Sequence, residues 1–313
     1  MCNQEPQCAG AVLMVRPAGF GFNPQTAASN VFQHRVDADP APGIQAAALR
    51  EFDALANALS RAGIELVIAD DSASPLKPDA IFPNNWVSFH RDGTVVLYPM
   101  LAPNRRPERR EEIIECVARQ GRFRIVRTVD LSHHENAGKF LEGTGSLVLD
   151  RVARVAYASL SPRTDPDVLG DFARQMGYEL MTFAASDGAA AIYHTNVVMA
   201  VGTSFAIVCG TVIPAEQRAA VFARLEAGEH EIVDITPQQM RDFAGNLLEL
   251  APAGSADRVI ALSTRAWGSL DRAQRRVLEK HGDVVAAQVP TIERVGGGGV
   301  LCTVAEIHLP RAA

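Results

Sequence analysis

Long hydrophobic runs are missing from this chain. The longest, such as Asn196-Val197-Val198-Met199-Ala200-Val201, are of strand length, far short of the roughly 20 residues needed to span a bilayer. The start, Met1-Cys2-Asn3-Gln4-Glu5-Pro6-Gln7, has neither a basic n-region nor an apolar h-region, so a secretory signal is not expected. Basic clusters are equally scarce. The densest, Arg105-Arg106-Pro107-Glu108-Arg109-Arg110, is interrupted by a carboxylate, and the formal net charge is −6; both argue against a nucleic-acid surface. The five cysteines are odd in number and scattered without C-x-x-C spacing, which indicates neither a disulfide scaffold nor a zinc site. These absences together lead to the expectation of a cytoplasmic protein that engages neither membrane nor nucleic acid.

What is there is an ordinary globular composition, 47% hydrophobic and 21% charged over 313 residues, enough for a sizeable core. Five segments share one grammar: a strand, often a second strand, a helical pattern and a returning strand. The fourth predicts strands over His194–Val201 and Ser204–Cys209, a helix over Pro214–Ala227 and a strand over Glu231–Ile235. The fifth predicts Asn246–Leu250, Arg258–Ser263, a helix over Trp267–Lys280 and Val284–Val289. The third predicts Ser146–Leu149, Arg154–Leu160, a helix from Asp165 to Met176 stopped by Gly177, and Tyr178–Phe183. The second predicts Trp86–His90, Thr94–Pro99, Glu108–Gln120 and Phe123–Val129. The first predicts Ala11–Val15, the helix Ile44–Arg61 and Ile64–Ala69, with Val300–Ile307 as a final strand that closes the ring. Anchors at Asn85, Ser146, Asn196, Asn246 and Val300 stand 61, 50, 50 and 54 residues apart. One closed α/β domain over residues 11–310, behind a flexible arm at 1–10, accounts for this better than a mixed α/β domain with irregular connections.

Cys302 follows Gly296-Gly297-Gly298-Gly299-Val300-Leu301. Four glycines carry a large backbone-entropy cost, which suits a loop that a ligand approaches closely. A phosphate loop is excluded, since no Gly-Lys-Ser/Thr follows. Cys116 in a helical pattern and Cys209 in an apolar strand read as core. A nucleophilic cysteine needs a base and something to orient it. His194 begins the leading strand of its repeat, the place that Cys302 occupies in the last, and Glu142 stands at the corresponding place in Leu141-Glu142-Gly143-Thr144-Gly145. His133 and His134, followed by Glu135, have no further ligand at helical spacing and read as a polar loop.

The set Asp79-Ala80-Ile81-Phe82-Pro83-Asn84-Asn85, Leu141 to Gly145, Ser159-Leu160-Ser161-Pro162-Arg163-Thr164, Tyr193-His194-Thr195-Asn196 and the glycine-flanked Cys302 resembles the guanidino-group modifying enzymes. That superfamily includes arginine deiminase, dimethylarginine dimethylaminohydrolase and the amidinotransferases. The resemblance runs from Met14 to Glu306, and Met14-Val15-Arg16-Pro17 with Phe20-Gly21-Phe22-Asn23 looks like its citrulline-utilising hydrolases. It implies a five-bladed α/β propeller of ββαβ repeats around a pseudo-fivefold axis. It also implies Cys302 as nucleophile, His194 as general acid/base, Glu142 as its partner carboxylate, Arg163 as the holder of a substrate α-carboxylate with Arg105 or Arg106 sharing that role, and Asp79 as a further site carboxylate. The family's deiminases carry aspartate where Asn85 stands, and its arginine deiminases carry it where Asn196 stands. An amide has no charge to offer a guanidinium but carries both a donor and an acceptor, so a neutral ureido group such as that of citrulline is favoured.

The expected activity is hydrolysis of citrulline to ornithine, ammonia and carbon dioxide, with a small-molecule substrate, no metal or organic cofactor, and room for a homo-oligomer. The alternatives are a deiminase or hydrolase of arginine or methylarginine, an amidinotransferase, and the non-catalytic, ribosome-binding use of the same fold.

Overall fold

The computed structural model describes residues 5–35 and 41–312. Three separate three-stranded sheets share one wiring. Val148–Asp150, Met199–Val201 and Leu248–Leu250 each pair antiparallel with a following strand, Val155–Ser159, Phe205–Val208 and Val259–Ser263 respectively. After a helix the chain returns parallel to that second strand, at Glu179–Phe183, Glu231–Asp234 and Asp283–Ala287. A six-stranded sheet contains the same wiring twice. Val87–Phe89, Thr94–Leu97 and Arg127–Asp130 form one unit. In the other, the C-terminal strand Ala305–Ile307 supplies the leading strand for Ala11–Arg16 and Glu65–Asp70. A single parallel pairing, Ile307 with Phe89, joins the two. The protein is thus an α/β fold with five like units among the described residues, whose sheets are not hydrogen-bonded into a closed ring.

Burial ranks the strands. All five residues of the second strands Val155–Ser159 and Val259–Ser263 are buried, as suits strands covered on both faces. The third strands Arg127–Asp130 and Glu231–Asp234 each bury only one residue fully and form the rim. The leading strand of the fourth unit contacts those of the third and fifth.

Helix ends follow local chemistry. Asp165 caps Pro166–Met176 by accepting from the amides of Asp167 and Val168, and Gly177 ends it at φ 69°. The helix buries Val168, Leu169, Phe172 and Met176 on one face, and truncating Phe172 to alanine would cost about 3–5 kcal/mol. The single helix expected over Trp267–Lys280 is two, Thr264–Ser269 and Arg272–His281, because Asp271 and Gln274 form a capping box that starts a new helix. Among the described residues no helix is long and apolar enough to cross a membrane.

Two further expectations differ from the structure. The leading strands are shorter than expected. In four units one helical turn precedes them, at Pro83–Asn85, Gly143–Ser146, Thr195–Val198 and Leu301–Thr303. Residues 5–10 are not a free arm either. Glu5 pairs with Arg151 at 2.8 Å and Arg154 at 3.0 Å, the Gln7 amide donates to the carbonyls of Leu149 and Val201, and Cys8 is buried against Glu249. Residues 1–4 lie outside the described residues.

Candidate active site

The helical turns set the chemistry. Glu142 and His194 are the residues from which two of these turns start, while Asn85 and Cys302 lie within the other two. The turn at Gly143–Ser146 is locked to a neighbouring segment: the Glu142 amide donates to Ser146 Oγ and the Arg163 carbonyl, and Ser146 Oγ donates to that same carbonyl. Thr195 Oγ1 donates to the Ser146 carbonyl and accepts from the Ser159 amide, which ties the His194 turn to the Glu142 turn.

One narrow cavity brings together Asp79, Asn85, Arg105, Arg163, His194 and Cys302, residues drawn from more than 220 positions of sequence. The glycine run earns its composition here. Gly297 sits at φ 67°, and a Cβ on Gly299 would lie 2.6 Å from Asn246 Oδ1. Any side chain there would displace the amide that holds the thiol. Cys302 Sγ accepts from Asn246 Nδ2 at 3.2 Å and from Asn196 Nδ2 at 3.6 Å. Burial pushes the Cys302 thiol up, opposed by Asn246, the Gly299 amide and Asn196, so at rest the group is a thiol with donors already aimed at its thiolate.

Glu142 is fully buried. Burial alone would raise its pKa, but Arg163 at 3.2 Å, His194 at 2.9 Å and Arg105 at 3.9 Å outweigh it and hold the carboxyl well below the usual range. Burial lowers His194 to about 4 against the pull of Glu142, so the imidazole is neutral. An ionised carboxylate only accepts; Nε2 therefore carries the proton donated to Glu142, and Nδ1 keeps the lone pair for proton transfer.

Arg105 forks onto Glu108 at 3.0 and 2.9 Å and donates to Asn85 Oδ1 at 2.8 Å. Burial pushes Glu108 up to about 7, opposed by Arg105. Arg163 lies over the Tyr193 ring at 4.7 Å and donates to Glu142, Ser29 Oγ and the Thr26 carbonyl. Asp79 accepts from Asn23 and Thr26 through Oδ2, while its buried Oδ1 has no partner; burial raises its pKa, opposed by Arg105.

Of the residues expected at the site, Glu142 and Asn196 stand behind the cavity lining, bonded to His194 and to the Cys302 sulfur, and Arg106 is elsewhere. Its side chain is about one-third exposed, bonded to Glu135 at 3.3 Å and to the Met100 carbonyl, because the turn Pro103–Glu108 sends adjacent side chains to different sides. Sequence reasoning missed Asn246 as a partner of the thiol, although it stands 50 residues after Asn196 at the same place in its repeat. It also missed Glu108, Ser29 and Thr26, which occupy the arginines.

The sequence matches the family described as N,N dimethylarginine dimethylhydrolase, eukaryotic, over residues 16–309. No curated protein matches it. Among solved structures, the N-terminal domain of ArgZ bound to substrate, an arginine dihydrolase from the ornithine-ammonia cycle in cyanobacteria, is 15% identical with a TM-score of 0.73, covering 97% of this chain and 99% of that one. AgrE in its binary complex with L-arginine is 15% identical with a TM-score of 0.72, covering 96% of this chain and 40% of that one. A dimethylarginine dimethylaminohydrolase adduct with S-methyl-L-thiocitrulline is 15% identical with a TM-score of 0.63, covering 95% and 99%.

Proposed function

Because the chain belongs to the N,N-dimethylarginine dimethylhydrolase family and is a hydrolase of linear amidine-type C–N bonds, we propose that Cys302 is its nucleophile and the ureido carbon of citrulline its target. The products are ornithine, ammonia and carbon dioxide. The five units surround a pseudo-fivefold axis in this reading, with the site at one end.

The thiol proton passes to a base, for which His194 Nδ1 is free, and the thiolate adds to the ureido carbon. Asn246 and Asn196 stabilise the thiolate before attack. The C–N bond breaks as the departing nitrogen takes its proton from His194, leaving a thiocarbamate on Cys302. Water then gives a proton to His194 and adds to the same carbon, the thiolate departs, and the resulting carbamic acid loses carbon dioxide to leave an amine. Glu142, ionised throughout, stabilises the imidazolium each time it forms. The substrate's α-carboxylate replaces Ser29 and the Thr26 carbonyl on Arg163, whose planar fork suits it.

The observation that carries the reading is the pair of amides on the thiol in a cavity whose carboxylates are already committed: Glu142 to Arg163 and His194, Glu108 to Arg105. Asp79 is tied through Oδ2 to Asn23, Thr26 and, at 3.8 Å, Arg105, but its other oxygen is not. The unpartnered Oδ1 of Asp79 borders the cavity and favours a second reading, in which arginine enters as the cation and undergoes two successive C–N hydrolyses, the second being the ureido step above. Measuring kcat/KM for citrulline, arginine and dimethylarginine by ornithine and ammonia release separates them. Citrulline is expected to lead, and Asn85→Asp to narrow its lead over arginine. Arginine turned over as well as citrulline by the wild type would overturn the neutral-substrate reading and leave the second.

A further inference from the structure

Away from the cavity, the turn Ser132–Ala137 faces the helix Pro166–Met176 across a three-residue cluster. One ligating atom each from His133, His134 and Asp171 lies within 4.8 Å of the others. Both imidazoles address the same carboxylate oxygen: His134 Nε2 is 2.9 Å and His133 Nε2 4.0 Å from Asp171 Oδ2. We infer that these three side chains form a binding site for a divalent transition-metal ion of the zinc class, with solvent in the remaining position.

Three observations carry it. A tetrahedral zinc ion with bonds of roughly 2.0–2.1 Å sets its ligand atoms about 3.3 Å apart, and the two distances to Asp171 bracket that value. The orienting contacts are already in place. His133 Nδ1 lies 3.1 Å from the Asp130 carbonyl, and as its proton donor leaves Nε2 with the lone pair a metal needs. Asp171 Oδ1 is held by Arg174 and Gln175, each at 3.2 Å, while Oδ2 accepts from His134 Nε2, whose proton the ion displaces on binding. Two imidazoles and one carboxylate suit zinc, nickel or copper rather than magnesium or calcium, which prefer all-oxygen shells. The sequence concealed the third ligand, since Asp171 lies 37 positions after His134.

The site joins segments that lead into the catalytic cavity. The turn runs through Lys139 to Glu142, and the helix follows directly on Arg163, Thr164 and the cap Asp165. Calorimetric titration with zinc chloride tests the assignment on wild type and on His133→Ala, His134→Ala, Asp171→Asn and Cys302→Ser, with thermal melts in chelator confirming that each is folded. His133 is 60% exposed at its side chain, so its variant carries little folding risk. The expected result is one zinc ion per wild-type chain, at least tenfold weaker binding in each of the three ligand variants, and unchanged binding in Cys302→Ser. Equal affinity in wild type and the ligand variants would overturn the site, as would binding lost only with Cys302, which would place the ion on the thiol.

Discussion

Replacing Asn246 with alanine removes the donor that lies 3.2 Å from Cys302 Sγ and leaves Asn196, at 3.6 Å, as the only side-chain donor on the sulfur. A hydrogen bond to a charged group contributes about 1.5–3 kcal/mol, and about 1.4 kcal/mol is a tenfold change in rate. The thiolate exists only once the proton has left, so the loss falls on the activated state and should lower kcat/KM by about 10- to 150-fold. Asn196→Ala, acting through the longer contact, should cost less than Asn246→Ala. Asn246→Asp should cost more than either, because a carboxylate beside the sulfur opposes its ionisation. The assay pairs kcat/KM for ornithine release with the pH dependence of Cys302 alkylation by iodoacetamide, whose midpoint should move to higher pH in the alanine variant. Asn246→Ala with kcat/KM within threefold of wild type and an unmoved alkylation profile would refute the thiolate-holding role.

Glu142→Gln takes a negative charge from between two buried arginines, and breaking such a pair costs about 3–5 kcal/mol; the melting temperature should fall, and kcat by about 10²-fold or more as the imidazolium loses its counter-charge. Arg163→Ala should raise KM for citrulline at least tenfold, whereas Arg106→Ala, on a residue bonded to Glu135, should leave KM within about twofold. The pH profile has a defined sign. The thiol proton goes to His194 and on to the departing nitrogen, so the reactive form is thiol beside neutral imidazole. Burial pushes the Cys302 thiol above its ordinary value of 9, so that form persists into the alkaline range, where its loss should lower kcat/KM. With His194 at about 4, no limb from the imidazole should appear between about pH 6 and 8. A profile that climbs tenfold or more from pH 6 to 9 would contradict this.

The repeat was legible because each unit obeys the same burial pattern: two buried strands, an amphipathic helix and a rim strand. The turns that hold the site were not. Thr195, Val197 and Val198 are β-branched and fully buried, and local propensity reads them as strand. The chain instead makes one helical turn that Thr195 Oγ1 fastens to Ser146, a contact across 49 residues. The N-terminal residues misled for the same reason, since Glu5 is placed by Arg151, 146 positions away. Cys302, His194 and Glu142 are candidates in the sequence because each stands near the start of a unit, although Glu142 and His194 open their turns and Cys302 lies within its own. Asn246 obeys that rule too, and extending it to every unit would have found the second donor on the sulfur. Arg105 and Arg106 are adjacent in sequence, and only the folded turn tells which one reaches Asn85.

The central claim is that Cys302 forms a covalent bond to the substrate carbon, and kcat/KM for ornithine release from citrulline by Cys302→Ser tests it most directly. A hydroxyl in the thiol's place keeps the size of the group and the surrounding amides but is a far weaker nucleophile at neutral pH. The account predicts an unchanged melting temperature and kcat/KM at least about 10³-fold below wild type; a folded serine variant that turns over citrulline within tenfold of wild type would contradict it.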